Sequence, residues 1–516
     1  MIFCTPNKFY SSEDTSKMNR IVKLILLVSM LTILSCGTSD EKNDTVFKGI
    51  MIDCSRLIEQ HDYYFRLVDF MADWGMNTLI LHFSDDHGLS IKLPGYEQLA
   101  AENAFTVDEI KNLVRHARQR GIDIIPELEV FGHTRYITDH PDFQHLGLRE
   151  HDDQLAFNAI DPLHPETQKL LEDLIEAVVT VFPSEYIHLG CDEVDLEGLP
   201  DHLDEKMVWV DHVNKMVGIA RDHGKTAMIW NDHVRKDSLI AANLDKDVIL
   251  AEWNYDPDYK PTSLPRLQKA GFEKIIMAPS LACYRLRVLP SEPGIRNTSA
   301  MIPSLRSGDA MGLINTIWLP QRYLQNTMWY GIAYTAFMLE SDDLTNLRGF
   351  HQSFSARVWG IELTEDLHNL LVDWNTLHLH RSFYIKAARG DYTWSEEQIE
   401  VLKGVRDKAR GLLKDTPVLQ PIQNQDVFET MILSVSVMEV ISESLLILGQ
   451  EEKEMAVAPS TLEKLGAVIE AVDSDWDSGR FPDDPQKYEP KFSNIAHSHL
   501  LVVLKQIESD LKALPG

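Results

Sequence analysis

Two adjacent carboxylates, Asp192 and Glu193, end an apolar stretch that reads Tyr186-Ile187-His188-Leu189-Gly190-Cys191. Ile187 and Leu189 give the two-residue period of a buried strand, and Gly190 lets the backbone come close to something large. Two carboxylates side by side push their pKa values apart, which leaves one proton donor and one anion for electrostatic work. A lone Asp-Glu dipeptide is more often a solvated loop, so the company it keeps decides its meaning. Asp53 and Arg56 follow the first apolar run, Ser84-Asp85-Asp86-His87-Gly88 the second, and Glu127, Glu129, Gly132 and His133 end or follow the third. The fifth, sixth and eighth runs finish on Trp230 (followed by Asn231-Asp232), Trp253 and Trp318, and the seventh leads through Ser280 to Tyr284. Brought to one mouth, three tryptophans, several carboxylates and an arginine suit a pyranose ring. Aromatic faces cover the C–H face of a sugar and charged groups bind its hydroxyls. Singly, a tryptophan is core filler and Asp53 with Arg56 a surface ion pair. His82, Asp85, Asp86, His87 and His133 raise a metal site, but there is no His-x-His and no complete ligand set, so neither metal nor cofactor is expected.

Positioning these residues takes an alternation of strands and helices. The apolar strand candidates are 46–53, 78–84, 123–129, 186–191, 226–230, 248–253, 274–278 and 312–318. Helical patterns separate them: Tyr64, Leu67, Val68 and Met71 recur at helical spacing, as do Ile110, Leu113, Val114 and Ala117. Thr106 with Glu109 reads as a capping box and Gly121 as the stop. A further helix after Pro165 carries Leu171, Leu174, Ile175 and Val178 on one face. Eight such units over residues 47–345 predict a (β/α)8 TIM barrel, which needs roughly 250 residues plus insertions. A doubly wound open sheet is the alternative, but no GxGxxG follows any strand.

Beyond residue 345 strand signals fade, and 346–516 predicts an all-α C-terminal helical domain with helices over 367–389, 395–413, 426–448 and 494–514. The segment 431–449 is apolar enough for a membrane span, yet Glu439 and Glu443 within it favour a buried bundle helix.

The 516 residues carry a formal charge of −30, which argues against nucleic acid or an anionic membrane face as partner. Cys4, Cys36, Cys54, Cys191 and Cys283 form neither a CxxC pair nor a metal spacing. From Met18 the chain runs through Arg20 and Lys23 into an apolar stretch ending Ile33-Leu34-Ser35-Cys36, a secretory signal over 1–36 with Met18 as the expected start. Its end resembles the lipobox of bacterial lipoproteins, which implies a lipidated Cys36, a polar tether over 37–46 and a lipid-anchored protein outside the cytoplasm, periplasmic or at the cell surface. A plain signal peptide or a buried N-terminal helix is the bland alternative.

The barrel resembles the family 20 glycoside hydrolases, the β-N-acetylhexosaminidases, over about residues 47–345. The likeness rests on Gly49-Ile50-Met51-Ile52-Asp53-Cys54-Ser55-Arg56, Phe83-Ser84-Asp85-Asp86-His87-Gly88 and Phe105-Thr106-Val107-Asp108-Glu109-Ile110. It continues through Gly121-Ile122-Asp123-Ile124-Ile125-Pro126-Glu127 with Gly132-His133, Asp161-Pro162-Leu163-His164-Pro165-Glu166-Thr167, and His188-Leu189-Gly190-Cys191-Asp192-Glu193. Gly-Cys-Asp-Glu in place of the commoner Gly-Gly-Asp-Glu, Trp253-Asn254-Tyr255, Trp318-Leu319-Pro320-Gln321-Arg322-Tyr323 and the direct passage from barrel to helices resemble the hexosaminidase D branch.

The resemblance implies exo-acting removal of terminal β-linked GlcNAc or GalNAc by retaining hydrolysis, with the substrate's acetamido group as nucleophile. Glu193 would be the acid and then the base, and Asp192 would orient the acetamido group. Asp85 and His133 would form a relay tuning Glu193, and Arg56 would bind the far hydroxyls. Trp230, Trp253 and Trp318 would wall the pocket, and Tyr284, or else Tyr255, would donate to the acetamido oxygen. Two departures concern the non-reducing end: Pro320 stands where many relatives have a glutamate two after the tryptophan, and Tyr284 is followed by Arg285 and Leu286. Two other readings compete: a glycan-binding lipoprotein without turnover, and a retaining glycosidase whose nucleophile is an enzyme carboxylate such as Glu127 or Glu252.

Overall fold

The computed structural model describes residues 47–149, 159–282, 285–287, 292–415, 421–449, 459–481 and 499–514. The signal segment, the tether, Cys36 and Tyr284 lie outside the described residues. Eight parallel strands form the barrel: β1 Phe47–Asp53, β2 Thr78–His82, β3 Asp123–Glu127, β4 Tyr186–His188, β5 Thr226–Trp230, β6 Ile249–Trp253, β7 Ile275–Ala278 and β8 Gly312–Ile317. They lie in chain order, and β1 pairs with β8, Phe47 opposite Gly312 through Ile52 opposite Ile317, so the sheet closes on itself.

Strand parity builds the interior. Phe47, Met51, Ile80, Ile125, Met228, Ile249, Ala251, Ile276 and Ile314 fill the inside of the barrel. Their neighbours in sequence, among them Ile50, Ile52, Leu79, Leu81, Ile124, Ile229 and Leu250, face the surrounding helices. Successive side chains alternate between the two faces, so each inward apolar residue dictates what stands two places on. Met51 is followed inward by Asp53, Ile80 by His82, Ile125 by Glu127, Met228 by Trp230 and Ala251 by Trp253. An apolar plug thus gives way to a polar and aromatic layer at the carboxyl ends of the strands. The helix Val107–Gln119 begins with the expected capping box between Thr106 and Glu109. Ser84–Asp85, Gly88–Ile91 and Ala100–Phe105 form a small sheet after β2 that sequence patterning did not reveal.

Helices follow the barrel, but not with the expected bounds. The segment 367–389 is two helices, Glu365–Asn375 and Arg381–Ala388, parted by a strand His378–His380 that pairs antiparallel with Arg285–Arg287. Among the described residues there are also helices Leu347–Phe354, Glu396–Asp415, Gln425–Leu448, Pro459–Gly479 and Leu500–Lys512, of which Leu347–Phe354 and Pro459–Gly479 were not expected. Gln425–Leu448 is long and apolar enough to cross a membrane, yet 67% of its most apolar window is buried within the protein. Its buried Glu439 meets Arg410 at 3.0 Å and also Lys464, as in a bundle helix.

Val46–Gly516 clusters as one compact unit. A buried ion pair links its two parts: Arg480 gives Nε to Glu59 Oε2 at 2.9 Å and Nη2 to Glu59 Oε1 at 3.2 Å. The same guanidinium donates to the carbonyls of Tyr323 (2.9 Å) and Pro320 (3.0 Å), in the loop after β8, and lies over Trp476. Removing one partner of such a pair strands the other charge in the interior. Arg480→Ala is expected to destabilise the protein by about 3–5 kcal/mol, read as a lower midpoint in denaturant. An unchanged midpoint would mean the pair does not tie the helices to the barrel.

Candidate active site

The polar layer is knit together around Glu127. Its carboxylate accepts the Trp230 indole N–H at 2.7 Å, lies 3.0 Å from His82 Nδ1 and 3.3 Å from His188 Nδ1, and is fully buried. Glu252 is likewise engaged, with Asn231 donating to Oε2 and Ser263 to Oε1 at 2.7 Å. Both carboxylates are parts of the frame and are committed within it.

Above this floor Arg56 is held by two anions. Nη1 donates to Asp53 at 2.8 Å and Nη2 to Asp85 at 2.7 Å. Asp53 also accepts the backbone N–H groups of Arg56 (3.1 Å) and Leu319 (3.1 Å), so it is a buried anchor for two loops, not a surface residue. Burial would raise the pKa of Asp85, but Arg56 and His133 outweigh it and hold the group well below the usual aspartate value.

The structure brings Asp85 and His133 together and adds Asp86 to them. His133 Nδ1 donates to Asp86 Oδ2 at 2.9 Å, while Asp85 Oδ2 stands 3.5 Å away. Asp86 is the nearer partner, because Asp85 is turned toward Arg56 and the His87 ring (2.7 Å). The other face of the imidazole, Nε2, looks to Glu193 Oε2 at 3.4 Å and Asp192 Oδ2 at 3.8 Å. Burial alone would lower the pKa of His133, but Asp86, Asp85 and Asp192 outweigh it and keep the ring an imidazolium. Asp85, Asp86 and His133 bring ligand atoms within 4.8 Å of one another, as do His133, Asp192 and Glu193, so two carboxylates and one imidazole converge in each group and could hold a metal ion.

The pair itself sits on unusual backbone. Among the described residues, the non-glycine positions with left-handed φ are His133 (45°), Cys191 (70°), Glu193 (47°), Leu319 (59°) and Asn424 (50°). All but Asn424 lie at this mouth, and each costs on the order of 1–3 kcal/mol unless its surroundings hold it. Gly132 permits the close approach, since a Cβ there would stand 2.2 Å from the carbonyl oxygen of Asp192. The Asp192 side chain is 15% exposed and that of Glu193 47%. Asp192 Oδ1 is buried with no hydrogen-bond partner among the described residues. Burial, reinforced by Asp232 and Glu193 against the pull of His133, pushes the pKa of Asp192 up to about 7. Glu193 goes the other way, held below the usual glutamate value by its hydrogen bond to His133.

Aromatic side chains complete the mouth. Trp230 and Trp318 lie 5.9 Å apart, His82 packs edge-on to Trp318 at 5.0 Å, and Trp253 neighbours Tyr255 at 5.4 Å. Trp318 Nε1 donates to the Tyr255 hydroxyl at 2.7 Å, and Arg56 lies over the Trp318 ring. The structure therefore gathers Arg56, Asp85, His133, Asp192, Glu193, Trp230, Trp253, Trp318 and Tyr255 at one end of the barrel. From sequence Asp86 and His82 figure only in a metal site and Glu127 only as a rival nucleophile, while His188 and His233, which accepts the Val194 N–H at 3.2 Å, carry no role. Parity along the strands would have found His82 and Glu127; nothing local marks His233.

Residues 46–296 match the catalytic domain of glycosyl hydrolase family 20. A β-hexosaminidase of Vibrio furnissii is 30% identical over 179 residues, covering 29% of each chain. One from Akkermansia muciniphila is 29% identical over 188 residues, covering 32% of this chain and 37% of its own. The aligned parts thus span between 29% and 37% of these curated relatives. Among solved structures, a β-N-acetylhexosaminidase from Bacteroides fragilis superposes with a TM-score of 0.50 at 18% identity, over 61% of this chain and 70% of that one, a likeness of fold.

The raised pKa of Asp192 has a consequence for stability. An unfolded aspartate titrates near 3.9, so between about pH 4 and pH 7 the native state binds the extra proton, and stability falls as pH rises through that window. Asp192→Asn removes the ionisation. Its unfolding free energy, from denaturant titration, is expected to match wild type near pH 4 and to exceed it at pH 8, by an amount on the order of 2–4 kcal/mol. An Asn variant no more stable than wild type at pH 8 would show that Asp192 ionises without cost.

Proposed function

We propose that this chain is an exo-acting β-N-acetylhexosaminidase that releases terminal β-linked GlcNAc or GalNAc by substrate-assisted retaining hydrolysis. The observation that carries the reading is the Asp192–Glu193 pair, facing the His133 ring, with an Asp192 oxygen that has no hydrogen-bond partner among the described residues. In this mechanism the acetamido N–H of the substrate is bound by Asp192, which turns the carbonyl oxygen toward the anomeric carbon. That oxygen attacks as the glycosidic bond breaks, and Glu193 gives its proton to the leaving oxygen. A bound sugar strips water from the half-exposed Glu193 and moves its pKa upward, the direction an acid requires. Asp192 balances the positive charge of the oxazolinium formed. Glu193 then takes a proton from the water that attacks the anomeric carbon, and the configuration is retained. Arg56 binds ring hydroxyls, Trp230, Trp253 and Trp318 wall the sugar, and Tyr255 or Tyr284 serves the acetamido oxygen.

A covalent enzyme nucleophile would need a second free carboxylate about 5–5.5 Å from the acid. The engagement of Glu127 and Glu252 with their neighbours weighs against that route. We further propose that Cys36 is lipidated and holds the enzyme at a membrane outside the cytoplasm, a reading supported by the Ile33-Leu34-Ser35-Cys36 ending of the apolar run.

Release of p-nitrophenol from the β-GlcNAc, β-GalNAc and β-glucose glycosides tests the function. Turnover is expected only on the N-acetyl sugars, with kcat lower by about 10²–10⁴-fold in Asp192→Ala and in Glu193→Gln. Comparable turnover of the glucoside would transfer the reading to an enzyme nucleophile. Binding of an N-acetyl sugar without turnover would make the protein a glycan binder.

A further inference from the structure

The turn that presents Asp192 and Glu193 runs through left-handed φ at Gly190 (62°), Cys191 (70°) and Glu193 (47°). Backbone of this kind persists only where its surroundings over-determine it. Two side chains outside the reacting pair supply that constraint. Before the pair, Glu129 Oε2 accepts the Cys191 N–H at 3.3 Å. Its carboxyl fills the space beside residue 190, where a Cβ would stand 1.9 Å from Oε2, so only glycine fits. After the pair, His233 Nε2 accepts the Val194 N–H at 3.2 Å, which places the ring proton on Nδ1. One clamp is the last group before Asp192 and the other the first after Glu193.

We infer that Glu129 and His233 are positioning residues that bracket the Cys191–Val194 turn and set where the Asp192 and Glu193 carboxyls stand. The inference rests on the hydrolase reading, since positioning matters only if the pair reacts. Each clamp works through an acceptor atom. For Glu129 the uncharged acid suffices, because one carboxyl oxygen still accepts the Cys191 N–H. Burial and the nearby Asp192 push its pKa well above the usual glutamate value, which favours that form and spares Asp192 another adjacent anion. His233 must be neutral to accept; burial lowers its pKa, against the pull of Asp232 and Glu193 and with the help of Lys236. Its ring also stacks on Trp209, which holds it in place from the neighbouring helix.

Glutamine keeps an acceptor oxygen at either position and alanine keeps none, so the two substitutions separate positioning from mere packing. Steady-state kinetics on the β-GlcNAc glycoside should show kcat lowered by about 10–100-fold in Glu129→Ala and His233→Ala, with KM within about threefold of wild type. Glu129→Gln and His233→Gln should recover kcat to within about fivefold of wild type. Alanine variants within about threefold of wild-type kcat, or glutamine variants as impaired as alanine, would overturn the proposal. Crystal structures of the alanine variants give a readout independent of turnover. Relaxation of the left-handed φ at Cys191 or Glu193 is expected, and an unmoved turn would overturn the proposal even with activity lost. Should wild type itself not turn over, the hydrolase reading fails and the crystal structures alone decide the role of the clamps. If an alanine variant does not fold, its glutamine counterpart decides: recovery of kcat supports the clamp, and a folded but inactive protein overturns it.

Discussion

One imidazolium governs the mouth of the barrel. His133 stands between Asp86 and Asp85 on one ring nitrogen and Glu193 and Asp192 on the other, in a place nearly without water. Four carboxylates around a single positive charge cannot all ionise cheaply at low dielectric. Arg56 satisfies much of Asp85, and Asp86 takes the shortest bond to the ring. What remains of the positive charge is shared by Asp192 and Glu193, and their difference in exposure decides how. Glu193 is half in water and keeps its charge beside His133. Asp192 is the more deeply buried and carries the cost. Reading the dipeptide alone, one expects Glu193 to be the raised member, because it is the acid of the proposed reaction. In the protein the order is reversed, and the reversal follows from burial. In the proposed reaction a sugar seated over Glu193 would remove the solvent around it, and its acetamido N–H would supply Asp192 with the partner its Oδ1 lacks. Both changes would move the pair toward the order that the proposed chemistry needs, so that substrate binding itself would prepare the acid.

The barrel was legible because its signal is local and repeated. Every one of the eight strands falls inside its expected run, since each needs only a few consecutive apolar residues between helical periods. The parity argument also recovers the inward sequence Met51 to Asp53 and Met228 to Trp230, so the tryptophans and Asp53 arrive at the mouth from sequence alone. Asp192, Glu193, Arg56 and His133 lie just past strand ends, which brings them to the same mouth. Failures begin where a non-local pairing decides. The stretch 367–389 carries an acceptable helical pattern, but His378–His380 leaves it to pair with the distant Arg285–Arg287, and the helix must break. Asp85 and Asp86 are the same residue type at adjacent positions, and only the tertiary placement of Arg56 assigns one to the guanidinium and the other to His133. The run 186–191 reads as strand throughout, whereas the strand ends at His188 and its last bonds to the neighbouring strand are at Leu189 and Gly190, because Gly190 and Cys191 turn left-handed against Glu129. No pattern in the sequence announces a cysteine at positive φ.

The helices after the barrel belong mechanically to the site. Arg480 is bonded to the carbonyls of Pro320 and Tyr323, and so fixes the loop that leaves β8. That loop begins with Trp318 and with Leu319 in a left-handed conformation, and the Leu319 N–H is received by Asp53. Asp53 in turn holds Arg56, which lies over the Trp318 ring. The chain of contacts is closed: helix end to loop, loop to aspartate, aspartate to arginine, arginine back to the tryptophan on the loop. A strained residue such as Leu319 can be kept in place because both sides of it are tied, one by Asp53 and one by Arg480 through Pro320. The same logic appears across the mouth, where Glu129 and His233 tie the two sides of the Asp192–Glu193 turn. Catalytic geometry on this barrel is thus set less by the strands than by pairs of side chains that grip each loop at its two ends, and in one case a gripping residue comes from outside the barrel.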